Sequence, residues 1–145
     1  MKEILEAVMA KLKTQVSDLQ YIAEDYGQMD NYGDVPPVKF PCALLSIGQV
    51  QYEEATKSQR RVKITLLVRI ADAPSLVGNV AAPDSYRTRA FAIFDLMEKV
   101  KTAINGMQSQ SYNKVKIQNA THFVREDLIR EYAMTFQTGY LEDDF

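Results

Sequence analysis

The sequence holds one histidine and one cysteine, which narrows the chemistry it can perform. A histidine-based mechanism or metal site would have to use His122, and no second ligand stands at a recognised spacing from it. His122 therefore reads as an exposed or edge-strand residue. Ser111-Tyr112-Asn113-Lys114 fits a Ser-x-x-Lys pattern, but that motif works at a helix start with partner motifs, and here it precedes a strand-like run. Asp30 and Asp34 have the spacing of alternate calcium ligands. The helix-flanked calcium loop fails there, because Tyr32 takes the middle ligand position, Val35 stands where glycine is required and the bidentate glutamate is missing. The six glycines form no phosphate-loop or dinucleotide pattern. The expectation is a protein without catalysis, with no catalytic, cofactor-binding or metal-binding residues.

The lone cysteine, Cys42, excludes an internal disulfide and any cysteine-rich metal site. It lies in the apolar run "FPCALLSIG", where a buried, inert thiol is expected. With 17 Lys and Arg against 19 Asp and Glu, the net charge of −2 does not suit a basic nucleic-acid or membrane-surface protein. The start lacks the uninterrupted apolar core of a signal peptide and no later run is long enough to span a bilayer, so an intracellular protein is expected. In that compartment the sequon Asn119-Ala120-Thr121 should stay unmodified.

A length of 145 residues fits a single domain over residues 1–145. Near the start, Ile4, Leu5, Val8, Met9, Leu12, Val16, Leu19 and Ile22 share one side of a helix running to about Leu19. A long Gly- and Pro-rich loop, Asp25 to Pro41, follows. In "PCALLSIGQVQYEE" the apolar positions change phase at Gly48, which an extra, bulged residue would reconcile. The short link "EEATKSQ" then favours an antiparallel hairpin with "RRVKITLLVRIAD".

A second helix is expected from an N-cap at Asp84 or Ser85 to about Asn105, capped by Gly106. Its buried stripe would be Ala90, Ile93, Phe94, Leu96, Met97, Val100 and Ile104, with Phe91 about 100° away from it. Two half-buried strands, in "NKVKIQNATHFV" and "LIREYAMTFQTGYLEDDF", close the chain. The predicted fold is α+β: two amphipathic helices on one face of a mainly antiparallel four-stranded sheet, in the order helix, hairpin, helix, hairpin.

In that arrangement Val62, Ile64, Leu66, Val68 and Ile70 face the helices, and the second sheet face presents Arg61, Lys63, Thr65, Leu67 and Arg69, joined by Lys114 and Lys116. Antiparallel sheets commonly leave such a face solvated. The alternative is a basic, partly apolar surface for an acidic partner or a second copy, with Glu142, Asp143 and Asp144 as one acidic counterpart. Phe91 and the loop "APSLVGNVAAPDS" add apolar contact area. The interaction candidates are thus Arg61, Lys63, Leu67, Arg69, Phe91, Lys114 and Lys116. No paired aromatics accompany the basic strand to stack bases, so sequence-specific nucleic-acid recognition is not expected.

The order of elements, with "PPVKFPCALLSI", "RRVKITLLVRIAD", "RTRAFAIFDLMEKVKTAINGM" and "REYAMTFQTGYLEDD", resembles the tail terminator and tail completion proteins of long-tailed phages over nearly the whole chain. The resemblance implies a structural assembly protein, of prophage origin, that closes as a ring, usually a hexamer, on the tail tube and joins it to the head-side connector. It implies self-association and tube or connector partners, no cofactor, no small-molecule substrate and no membrane, with assembly in the cytoplasm and residence in the virion tail. It assigns no individual residue. A reading from another class is a small ligand-binding or regulatory module with a pocket between the Asp25–Pro41 loop and the sheet.

Overall fold

The computed structural model describes residues 1–74 and 80–143. Its elements are α1 (Lys2–Gln15), β1 (Tyr21–Glu24), β2 (Cys42–Glu54), β3 (Gln59–Asp72), α2 (Asp84–Ala90), α3 (Ala92–Ile104), β4 (Lys116–Phe123) and β5 (Arg130–Asp143). They form an α+β fold around one sheet of order β1-β2-β3-β5-β4. All pairings are antiparallel except β1 with β2, which is parallel.

This corrects the expected four strands and two helices to a mixed five-stranded sheet with three helices among the described residues. The unforeseen strand, β1, is four residues long and lies at the head of a segment dominated by turn-forming residues. Backbone bonds at its ends, Gln20 N–H to Pro41 O (2.8 Å) and Asp25 N–H to Leu45 O (2.8 Å), hold it along β2. The first helix accordingly stops at Gln15 rather than near Leu19, and Ile22 contributes to the core from a strand.

The expected second helix is broken at Phe91, whose φ of −97° and ψ of 12° leave the α region. The Arg130 guanidinium donates to the Ala90 carbonyl oxygen at 2.6 Å, and Phe94 N–H turns instead to the Phe91 carbonyl. A side chain inserted into the helical ladder is an ordinary cause of such a break. Asp84 is the first residue of α2 and Pro83 its N-cap, in place of the expected Asp84 or Ser85 cap. Gly106, at φ +89°, takes the left-handed conformation required just past the end of α3.

The main core lies between the helices and one sheet face. Ile4, Val8, Leu12 and Val16 from the first helical segment meet Ile93, Leu96, Val100 and Ile104 of α3 and the β3 row Val62 to Ile70. β2 keeps Ala43, Leu45 and Ile47 on this side, then shifts register between Ile47 and Gln49 so that Val50 joins them. Gly48 is the bulged residue, as the apolar phase change predicts. A Cβ there would come within 2.9 Å of Leu67 Cδ1 on the adjacent strand, so the bulge brings backbone close to that side chain.

Candidate functional site

β3 is 14 residues long and its outward positions cross the whole sheet, so the single basic face expected of it is in fact two environments. Near its C-terminal end, segments 25–41 and 125–130 fold over the sheet. Met29, Cys42, Leu44, Ala71 and Ile129 form a second, smaller core there, flanked by Tyr21, Val38 and Phe40. Cys42 is fully buried, and that burial pushes its thiol up to about 12.

Arg69 points into this covered end. Its guanidinium donates two bonds to Glu131 (Nε to Oε2, 3.0 Å; Nη2 to Oε1, 2.8 Å), two to Asp30 (2.9 and 3.0 Å) and one to Asp25 (2.9 Å). Arg125 shares two of the acceptors, Asp30 (3.1 Å) and Glu131 (2.8 Å), and adds Asp127 (2.6 Å). Bonds to Arg69, then Arg125, hold the Asp30 carboxyl below its ordinary value, and Arg125 does the same more strongly for Asp127. Arg69 is therefore corrected from an interaction candidate to an internal tie between the long loop and the sheet. The same packing places Met29, Val38 and Phe40 where the alternative reading expected a ligand pocket under that loop.

At the other end of β3 the outward face stays open. Arg61 and Lys63 lie across from Leu141 and Gly139 of β5. Lys116 is opposite Gln137, one strand further out. Together with Lys114 they line a concavity of about 490 Å³ whose walls include Gln118, Gln137 and Thr138. Gly139 also lines it, and a Cβ at that position would run into the Val62 carbonyl oxygen of β3. Lys63 is paired with Glu53 at 3.0 Å. Glu53 is also the cross-strand neighbour of Arg61, but among the described residues Arg61, Lys114 and Lys116 make no salt bridge.

The two remaining candidates lie elsewhere. Leu67 is half-buried beside Gly48 and offers no free patch. Phe91 stands on the helix side, 45% exposed, with Phe94 at 5.9 Å, Phe94 with Tyr132 at 5.5 Å, and His122 stacked on Tyr132 at 4.8 Å. Phe94, expected in the buried stripe, is itself 42% exposed, at the margin of the α3 face that buries Ile93, Leu96 and Val100. Part of the loop expected to supply apolar area, 75–79, and the acidic Asp144 lie outside the described residues.

Arg61, Lys63, Lys114 and Lys116 are thus united in one site. Sequence reasoning missed Gln118, Gln137 and Gly139 in its lining. Two-residue periodicity on β5 was the available signal for Gln137 and Gly139, once β5 is paired with β3. The carboxylate partners of Arg69 come from two distant segments, Asp25 and Asp30 from the long loop and Glu131 from β5, and carry no local signal. Among the described residues there is no cluster of three His, Cys, Asp or Glu side chains arranged for a metal, and no helix is long and apolar enough to cross a membrane.

A mixed sheet with helices on one face and an open basic cleft on the other defines a small α+β domain built around surfaces. No protein-family model matches the chain, and no curated protein does. Its fold is similar to that of a chain in the solved structure "Virion of native gene transfer agent (GTA) particle", with a TM-score of 0.53 and 15% identity, over 95% of this chain and 94% of that one.

Proposed function

We propose that this chain is a structural subunit of a phage-type virion, a tail terminator or tail completion protein of prophage origin, which closes as a hexameric ring on the tail tube and joins it to the head-side connector. The observation that carries the reading is the fold likeness to a chain of a gene transfer agent virion along nearly the full length of both chains. The open sheet supports it. β1 and β4 are edge strands at opposite ends, and unlike edges favour head-to-tail contacts, which close into rings when the rotation permits. β4 is exposed along almost its whole length and carries no proline; Lys116 and the bulge at Gln118 blunt its start and leave Asn119 to Phe123 as the stretch open to a neighbouring strand. In this reading the protein has no catalytic activity, assembles in the cytoplasm and ends in the tail.

The test is tube assembly in the presence of the protein, with purified tube subunits from the same genome. Short tubes bearing a ring of density at one end, by negative-stain electron microscopy, are expected. Tubes of unchanged length with bare ends would refute the terminator role.

A further inference from the structure

The cleft at the open end of β3 is the strongest unassigned feature of the molecule. On a chain of net charge −2, it gathers Arg61, Lys63, Lys114 and Lys116 around one concavity of about 490 Å³. Elsewhere on the same sheet face the cation Arg69 is saturated by internal carboxylates, whereas Arg61, with Glu53 as its cross-strand neighbour, and Lys114 and Lys116 make no salt bridge among the described residues. Lys63 is already offset by Glu53, but like charges held together repel one another, so an anionic occupant gains from Arg61, Lys114 and Lys116 at once.

The spacing narrows the kind of anion. Arg61 and Lys63 stand two residues apart on one strand face, which separates them by about 6.7 Å. Lys116 lies two strands across from β3, about 10 Å away. The positive charge is therefore spread along and across a trough rather than focused on one point, which suits several separate anionic groups better than one small ion. An extended peptide with acidic residues at alternate positions repeats its carboxylates at the same interval of about 6.7 Å. Gln118 and Gln137 offer amides to such a backbone. The one aromatic ring among the described lining residues, Tyr140, is opposite Val62 and packs against the main core, so no row of rings is offered for successive bases to stack on, which disfavours single-stranded nucleic acid.

We propose that this cleft is a docking site for an extended acidic segment of a partner protein, with carboxylates at alternating positions. The proposal stands apart from the virion reading, because it concerns the isolated chain, and its failure would leave that reading intact. The test is a titration of the 15N-labelled protein at low salt. The probes are an acetylated peptide of alternating aspartate and serine, its asparagine counterpart, and single-stranded oligothymidylate of similar length.

Saturable amide shifts confined to 61–63, 113–118 and 137–141 are expected with the aspartate peptide. Lys114→Glu combined with Lys116→Glu should weaken binding at least tenfold, while amide shifts away from the cleft match those of the parent and show that the fold is kept. An absence of cleft shifts, equal shifts with the asparagine peptide, or binding indifferent to the charge reversal would each overturn the proposal. Tighter binding of oligothymidylate than of the peptide would also overturn it, making the cleft a phosphate-backbone groove.

Discussion

Replacing Arg69 with methionine tests the division of the outward face into a covered and an open half. Arg69 is the group on which Asp25, Asp30 and Glu131 converge, and its side chain is only 16% exposed. Methionine keeps most of the aliphatic stem but removes all five donated bonds, leaving Glu131 buried with Arg125 as its remaining cation. Removing one member of a buried ion pair costs about 3–5 kcal/mol. Because Arg125 persists and Asp30 is half exposed, the lower end applies, about 3 kcal/mol. For a chain of 145 residues each kcal/mol moves the midpoint by about 4 °C, giving a fall of about 12 °C in Tm.

The assay is urea and thermal unfolding followed by circular dichroism, with Arg61→Met as the control on the same strand face. Arg61 is exposed, so its replacement should stay within about 0.5 kcal/mol of the parent. An Arg69→Met variant as stable as the Arg61→Met control would refute the reasoning and return Arg69 to the surface.

Two further outcomes follow from the same covered end. The carboxyls of Asp30 and Asp127 sit below their ordinary value of 3.8 in the folded state, so their contribution to stability is full above that value and is lost as pH falls below it. Stability should therefore decline as the pH drops below about 4, and Asp127→Asn should make that decline shallower in acid unfolding curves; parallel curves would show that other carboxylates dominate. The Cys42 thiol, buried and held protonated, should resist a thiol reagent at pH 8 in the native protein and react fully in denaturant. Rapid native labelling would mean that segment 25–41 opens readily.

Much of the architecture was readable in advance because it rests on local periodicity. The β3 alternation identified the helix-facing row, the phase change at Gly48 marked the bulge, and Gly106 marked the end of the second helical segment. The failures share a different cause. β1 is too short for a period to show, and it is held by pairing with β2 across the long loop. The break at Phe91 goes with the bond to the Ala90 carbonyl from Arg130, 40 residues beyond Ala90 along the chain. The role of Arg69 depends on Asp25, Asp30 and Glu131, which a strand pattern alone cannot place. Of the seven interaction candidates, the four that converge in the cleft were found by alternation. Those that did not converge were displaced by tertiary contacts: a covering loop over Arg69, the bulge beside Leu67 and a helix break at Phe91.

The central claim, a subunit that works by closing into a ring, is tested most directly by the solution mass of the purified chain. Light scattering should be run across a wide concentration range, alone and with tube subunits. The account predicts a discrete closed species of six chains, formed alone or on the tube, with no ladder of larger polymers. A strict monomer under both conditions, or open-ended polymerisation, would contradict it.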